Sequence, residues 1–236
     1  MKENDFKTFI AGLPAVPGIL GRDLYFNSAV LVPFVLVGDD YHLLFQKRAA
    51  GIRQGHEICF PGGGHDEAVD LNFQETAIRE TMEELGLPRK KITISGRLDT
   101  LVTPRGFIVE TFIGTLAVKD LTELRPAVGE VAEIFTIPVS WFIDNEPEIY
   151  FTRVEMQPSS IGPDGKKQIF LPVDELGLPA IYGRNREGMK YRVVVYKTGK
   201  HLIWGLTAAI VYEMIGKIRS AGAGSATASF FRTAAG

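Results

Sequence analysis

Phe60-Pro61-Gly62-Gly63-Gly64-His65-Asp66-Glu67, followed by Arg79-Glu80-Thr81-Met82-Glu83-Glu84-Leu85-Gly86-Leu87, is the stretch on which the reading of this chain turns. Three glycines after a proline let the backbone bend sharply and approach a ligand closely, which makes Gly62 and Gly63 candidate contacts for a substrate. After an acid-rich loop, residues 73–85 read as a helix stopped by Gly86 and Pro88. On that helix Phe73, Ala77, Ile78, Thr81, Met82 and Leu85 share one broad apolar face. Glu80 and Glu84 fall roughly 40° apart at the rim of the face, so their carboxylates converge, with Glu83 about 60° further round on the solvent side. Like charges this close raise one another's pKa unless a cation sits among them. Arg79 is the one base in register, and no lysine lies between it and Leu87 to make an ordinary surface of Glu–Lys pairs. Hard carboxylate oxygens in convergence suit Mg²⁺ or Mn²⁺, with Glu80, Glu84 and Glu83 as the ligands to consider.

Outward from this stretch the chain alternates strand and helix signals. Residues 29–37 and 41–47 are apolar-rich and joined by Gly38-Asp39-Asp40, a hairpin signal. An apolar stub, 58–60, stops at the glycines. Two further strands are expected at 91–103 and 107–118, divided by Pro104-Arg105-Gly106, then a strand at 131–137 and a short helix at 139–143. Residues 145–200 hold Pro147, Pro158, Pro163, Pro172 and Pro179, with strand-like pieces at 148–154 and 191–196. Leu206, Ile210, Met214 and Ile218, spaced by four, mark a last helix over 202–218, with Trp204 read as core. Residues 221–236 are mostly Ala, Gly, Ser and Thr and are expected to form a disordered tail. The pattern is that of a single α+β domain over 1–220 with an insertion within 145–200.

Composition narrows the function. Of 236 residues, 45% are hydrophobic and 23% charged, enough for a sizeable core. Lys+Arg 26 against Asp+Glu 28 leaves a net charge of -2, which argues against gripping nucleic acid or an anionic membrane by bulk positive charge. The apolar run 29–37 is too short to span a bilayer and contains Pro33. Acids near the N-terminus stand where a secretory signal would be apolar, so a cytoplasmic location is expected. Cys59 is the single cysteine, which excludes an internal disulfide and a multi-cysteine metal site. His42, His56, His65 and His201 show no paired ligand spacing. A homodimer is the default assembly.

The stretch Arg79-Glu80-x-x-Glu83-Glu84-x-Gly86-Leu87 behind a Gly-Gly turn resembles the box motif of the Nudix hydrolase superfamily. The resemblance implies an α/β/α sandwich, a mixed sheet between helices, and divalent-metal-dependent hydrolysis of the diphosphate of a small nucleoside diphosphate derivative. Two departures stand out. Gly63 to Arg79 is two positions longer than usual, so the midway glutamate falls on Leu71, leaving Asp70 or Glu67 to stand in; and Thr81 replaces an aliphatic residue. A longer, Asp66-containing loop is similar to the coenzyme A pyrophosphatase branch. So are Leu43-Leu44, Arg53, Glu57 to Gly63, Gly129-Glu130-Val131 and Ile203-Trp204-Gly205-Leu206-Thr207-Ala208. The upstream part is one residue short between Arg53 and Glu57. Through the resemblance, Arg79 orients the glutamates, Glu83 or Glu130 serves as general base, and Arg53 touches substrate, as could His65. The alternatives are a Nudix hydrolase for ADP-ribose, a dinucleotide or a nucleoside triphosphate, or a non-catalytic nucleotide-sensing module.

Overall fold

Gly38 takes a left-handed φ of 62°, which lets a two-residue turn fold β1 (Phe26–Val37) back onto β2 (Asp40–Arg48). In this computed structural model, which describes the backbone of residues 1–232 and the side chains of 1–221, the hairpin pairs only from Val37↔Asp40 to Phe34↔Leu43. Beyond that the strands splay apart, and the chain 58–64 fills the wedge. β3 (Ile58–Cys59) pairs with β2, β4 (Gly62–Gly64) pairs with β1, and between them the Leu31 N–H donates to the Pro61 carbonyl at 2.9 Å. The other edge of β1 runs parallel to β7 (Phe107–Leu116), which carries β5 (Ile92–Arg97) and β6 (Leu101–Val102) antiparallel on its far side. β8 (Val131–Pro138) closes the other end against β2. The expected long strand at 91–103 is thus two pieces.

The run 29–37 is apolar at nearly every position because both faces of the sheet are covered. On one face Ala29, Leu31 and Leu44 pack with Ala77, Ile78 and Leu85 of α2 (Phe73–Leu85). On the other, Val32, Leu43 and Phe45 pack with Phe142 of α3 (Val139–Asp144) and with Val211, Met214 and Ile215 of α4 (Gly205–Arg232). The result is the α/β/α sandwich with a mixed sheet that the motif implies.

Residues 145–200 build a second sheet. β9 (Glu148–Met156) and β12 (Arg186–Lys197) pair antiparallel, and β13 (Leu202–Trp204) adds to β12. Between β9 and β12, the short ribbon of β10 (Ser159–Ile161) and β11 (Lys167–Ile169) occupies part of 157–185. The last helix begins at Gly205, not at 202. Ile203 sits opposite Tyr196 and both point into the core under α4. Trp204 therefore faces the opposite way, by the two-residue period of a strand, and is half-exposed rather than core. α4 runs to Arg232; the side chains of 222–232 and all of 233–236 lie outside the described residues, and the expectation of a loose tail over 221–236 falls mainly there. At the other end, α1 (Glu3–Ala11) buries no residue. No described helix is long and apolar enough to cross a membrane.

The helix that matters most, α2, has both ends chemically specified. The Asn72 side chain accepts from the Glu75 N–H at 3.1 Å, capping the N-terminus. Gly86 ends it at φ 64°, and a Cβ there would lie 2.2 Å from the Arg125 carbonyl oxygen. This contact brings the loop before β8 against the helix, where Arg125 N–H donates to Leu85 O and Ala127 N–H to Glu84 O. Gly86→Ala meets both a left-handed penalty and a backbone clash, and should cost on the order of 2–4 kcal/mol in urea unfolding. Gly38→Ala, with a similar φ but nothing within 4 Å, should cost only about 1 kcal/mol.

Candidate active site

The carboxylates of α2 meet the glycine turn at its backbone. Glu84 is buried, and its Oε2 accepts from the Gly62 N–H at 2.9 Å. Glu80 lies one turn earlier, and a Cβ on Gly63 would sit 2.4 Å from its carboxyl carbon. Gly63 therefore lacks a side chain so that Glu80 can rest on the main chain. Glu83 points out, its side chain 58% exposed. These positions are those the helical spacing implied.

Arg79 ties the group together. Its Nε and Nη2 bond Asp70 Oδ1 and Oδ2 at 2.8 and 2.9 Å, and Nη1 reaches Glu80 at 2.9 Å and Glu83 at 3.1 Å. Of the two loop acids, Asp70 is the one paired with Arg79; Glu67 is exposed and makes no ion pair among the described residues. Asp70 also accepts from Thr76 Oγ1 at 2.9 Å. Its bond from Arg79 outweighs its burial and holds the carboxyl well below the usual range. His65 shares this structural network: its Nδ1 meets Thr76 Oγ1 at 2.7 Å and its ring packs on Phe73.

Glu84 and Glu80 shift the other way. Burial pushes Glu84 up to about 7 against the Gly62 bond, and the Glu80 charge adds to the rise. Burial also raises Glu80 against the pull of Arg79, with Glu83 and Glu130 contributing repulsion. Glu130 is exposed in the turn just before β8, close enough for its charge to reach Glu80. It does not pair with Arg125, whose Nη1 donates to the Thr122 and Leu124 carbonyls instead. Arg53 is exposed on the loop 49–57, its guanidinium 5.5 Å from the Phe107 ring centre. That loop carries Gln54 and His56 at left-handed φ of 57° and 67°, a region that costs non-glycine residues energy.

No three His, Cys, Asp or Glu side chains among the described residues form a ready metal-ligand set as they stand. The donors nonetheless fit a hard divalent cation in kind: two converging carboxylates with raised proton affinity, and one arginine already shared among three acids. Gln46 joins them unforeseen. It is buried on β2 with Oε1 unpartnered and Nε2 3.6 Å from Cys59 Sγ, and its amide acts to hold the Glu84 pKa down. The only trace of it in the sequence is a polar residue in step with Leu44 on the helix-facing side of the strand.

Asp70→Asn keeps the shape and removes the charge opposite Arg79. It should cost about 2–4 kcal/mol at pH 7 in chemical denaturation, since it leaves a partly buried guanidinium under-paired. Because the Asp70 pKa is depressed on folding, its contribution is present above the unfolded value near 4 and lost as pH falls below it. The variant should accordingly lose less stability than the wild type between pH 5 and pH 2, so the gap between the two narrows on the acid side.

Residues 26–158 match the NUDIX domain. A protein from Pectobacterium atrosepticum named as an uncharacterized Nudix hydrolase is 29% identical, over 89% of this chain and 92% of that one. The mouse peroxisomal coenzyme A diphosphatase is 33% identical over 53% of this chain and 51% of its own length. The human mitochondrial coenzyme A diphosphatase is 29% identical over 78% and 66%. With the matched domain spanning more than half of the chain and the box glutamates gathered on its glycine turn, the chain belongs to the Nudix hydrolases, enzymes that cleave phosphorus anhydrides.

Proposed function

We propose that this enzyme is a Mg²⁺- or Mn²⁺-dependent pyrophosphohydrolase whose substrate is coenzyme A or a derivative of it. The observation that carries the metal dependence is the pair Glu80 and Glu84 resting on the Gly62–Gly63 backbone with too little positive charge to balance them. Support for the substrate class comes from the mouse and human coenzyme A diphosphatases among the relatives, together with the Asp66-containing box loop.

Glu80 and Glu84 would hold the ion, with Glu83 joining them. The bound ion supplies charge neutralisation for the diphosphate and Lewis acidity toward the reacting oxygens. The protein's own groups do the rest. Arg79 fixes Glu80 and Glu83 in mutual reach and is itself clamped by Asp70. The glycine turn lets Glu80 and Glu84 rest against the main chain, Glu84 held by the Gly62 N–H. Arg53, free of any ion pair among the described residues, offers its guanidinium to a further anionic group of the substrate. Glu130 is the general base: exposed and outside the helix, it accepts the proton of the attacking water without being a ligand. Water then attacks one phosphorus and the P–O–P bridge breaks, giving 3',5'-ADP and phosphopantetheine from coenzyme A.

A panel of coenzyme A, its acyl and oxidised forms, ADP-ribose, a dinucleotide and nucleoside triphosphates, scored by product mass, tests the assignment. Coenzyme A forms should show the highest kcat/KM, and exhaustive EDTA should abolish turnover until Mg²⁺ or Mn²⁺ returns. A higher kcat/KM for ADP-ribose or a triphosphate would reject coenzyme A and leave the hydrolase class intact. Zinc should serve less well, because no His or Cys ligands cluster among the described residues.

The two glutamate roles separate in a second measurement. Glu84→Gln should weaken Mn²⁺ affinity along with kcat. Glu130→Gln should lower kcat by roughly 10²–10⁴-fold while Mn²⁺ affinity stays near wild type. A Glu130→Gln enzyme with near wild-type kcat would return the base to Glu83.

A further inference from the structure

We propose that Phe26, set edge-to-face against Phe107 with the Arg53 guanidinium alongside, is the seat for a purine base of the substrate. This rests on the reading above in one respect, that Glu80 and Glu84 hold the ion and with it the diphosphate; it does not require that the substrate be coenzyme A.

The placement follows from strand alternation. Phe26 and Phe107 are register partners at the heads of the parallel strands β1 and β7. Stepping by two from Phe26 leads through Ser28 and Val30 to Val32, which packs in the core under α4, so both rings belong to that face of the sheet. The helix covers Val32 but leaves Phe26 54% exposed, with Phe107 half-buried beside it. The ring centres are 5.7 Å apart and the planes are inclined at 69°. An edge-to-face pair leaves aromatic surface uncovered, here at the head of the strand that the glycine turn pairs with.

The turn joins this surface to the carboxylates. A Cβ on Gly63 would lie 2.4 Å from the Glu80 carboxyl carbon, and a Cβ on the next residue, Gly64, would lie 3.0 Å from Phe26 Cζ. Neighbouring residues of an extended strand face opposite ways, so the carboxylate and the ring lie against opposite sides of adjacent glycines. A nucleotide carries its base one ribose beyond its phosphate. With the diphosphate at the ion on Glu80, a base that reaches across the rim of the turn arrives at Phe26.

The chemistry of the surface selects the base. Arg53 is exposed, makes no ion pair among the described residues, and holds its guanidinium carbon 5.5 Å from the Phe107 ring centre. A lone exposed ring is ordinary, but two rings and a planar cation beside a phosphate-directed site form the combination that stacks nucleobases. An aliphatic arm has no use for the guanidinium plane, and a phosphate has no use for the rings. A purine offers the larger stacking area of the two base types.

The probe is AMP, which has a purine and no diphosphate to cleave, titrated calorimetrically into the full chain with Mg²⁺. The wild type should bind AMP more tightly than CMP. Phe26→Ala should weaken AMP by roughly 5–100-fold and leave ribose 5-phosphate unchanged. Phe26→Trp should restore AMP binding, whereas Phe26→Leu, apolar without a π face, should bind as poorly as the alanine variant. Circular dichroism and thermal unfolding check that each variant is folded. On the best diphosphate substrate, Phe26→Ala should raise KM with kcat near wild type. The proposal is overturned by AMP binding that Phe26→Ala leaves intact, that falls together with ribose 5-phosphate, or that leucine restores in full, which would mark a site for an aliphatic arm. The two readings fail separately. A purine substrate other than coenzyme A that depends on Phe26 rejects coenzyme A and upholds the seat; coenzyme A hydrolysed by Phe26→Ala with unaltered KM rejects the seat and upholds coenzyme A.

Discussion

A single guanidinium holds the catalytic region in shape. Arg79 bonds Asp70 from the loop before α2, Glu80 and Glu83 from the helix, and the Gly64 carbonyl from β4 at 3.3 Å. Loop, helix and strand therefore meet at one side chain. Without it, three acids would repel one another across the same small volume, and the extended box loop would lose its ion-pair tie to the helix. The planar fork of arginine is what makes four partners possible; a lysine's point charge would satisfy fewer and hold none in a defined direction.

Two groups of buried acids show how charge balance separates a structural carboxylate from a reactive one. Burial alone would raise Glu110, but Arg22, Thr100 and Arg97 all bond or attract it, and its pKa falls below the ordinary value. Glu84 is buried and Glu80 partly so; Arg79 is divided among Asp70, Glu80 and Glu83 and makes no ion pair with Glu84, and burial raises both pKa values. One group is electrically complete within the protein. The other is incomplete, and an acid left in that state is a place where a cation or a proton belongs.

The helix and its charged residues were legible because helical geometry is local: Glu80, Glu84 and Glu83 stand where a 100° step puts them. The hairpin was legible from Gly38-Asp39-Asp40 for the same reason. What was hidden depended on distant partners. The choice of Asp70 over Glu67 required knowing how a loop two residues longer folds back onto Arg79. Trp204 looked like a helix residue because Leu206 to Ile218 carries a strong four-residue period; only pairing with Val195 shows it to be strand. Gln46 and Glu110 were unremarked because a polar residue within an apolar run is visible in sequence, but the groups that satisfy it are not.

The wedge between β1 and β2 has a mechanical consequence. The glycine turn is laced into the sheet on both sides, through β3 to β2 and through β4 to β1. It cannot loosen without unzipping strands at the centre of the sandwich. The backbone on which Glu80 and Glu84 rest therefore shares the opening free energy of the whole domain, while 49–57 and the turn at Glu130, joined to each other by the Ala49 N–H on the Glu130 carbonyl at 2.8 Å, are free to open at lower cost. The paired glutamates sit on an anvil, and whatever adjustment the region makes is left to two loops at its rim.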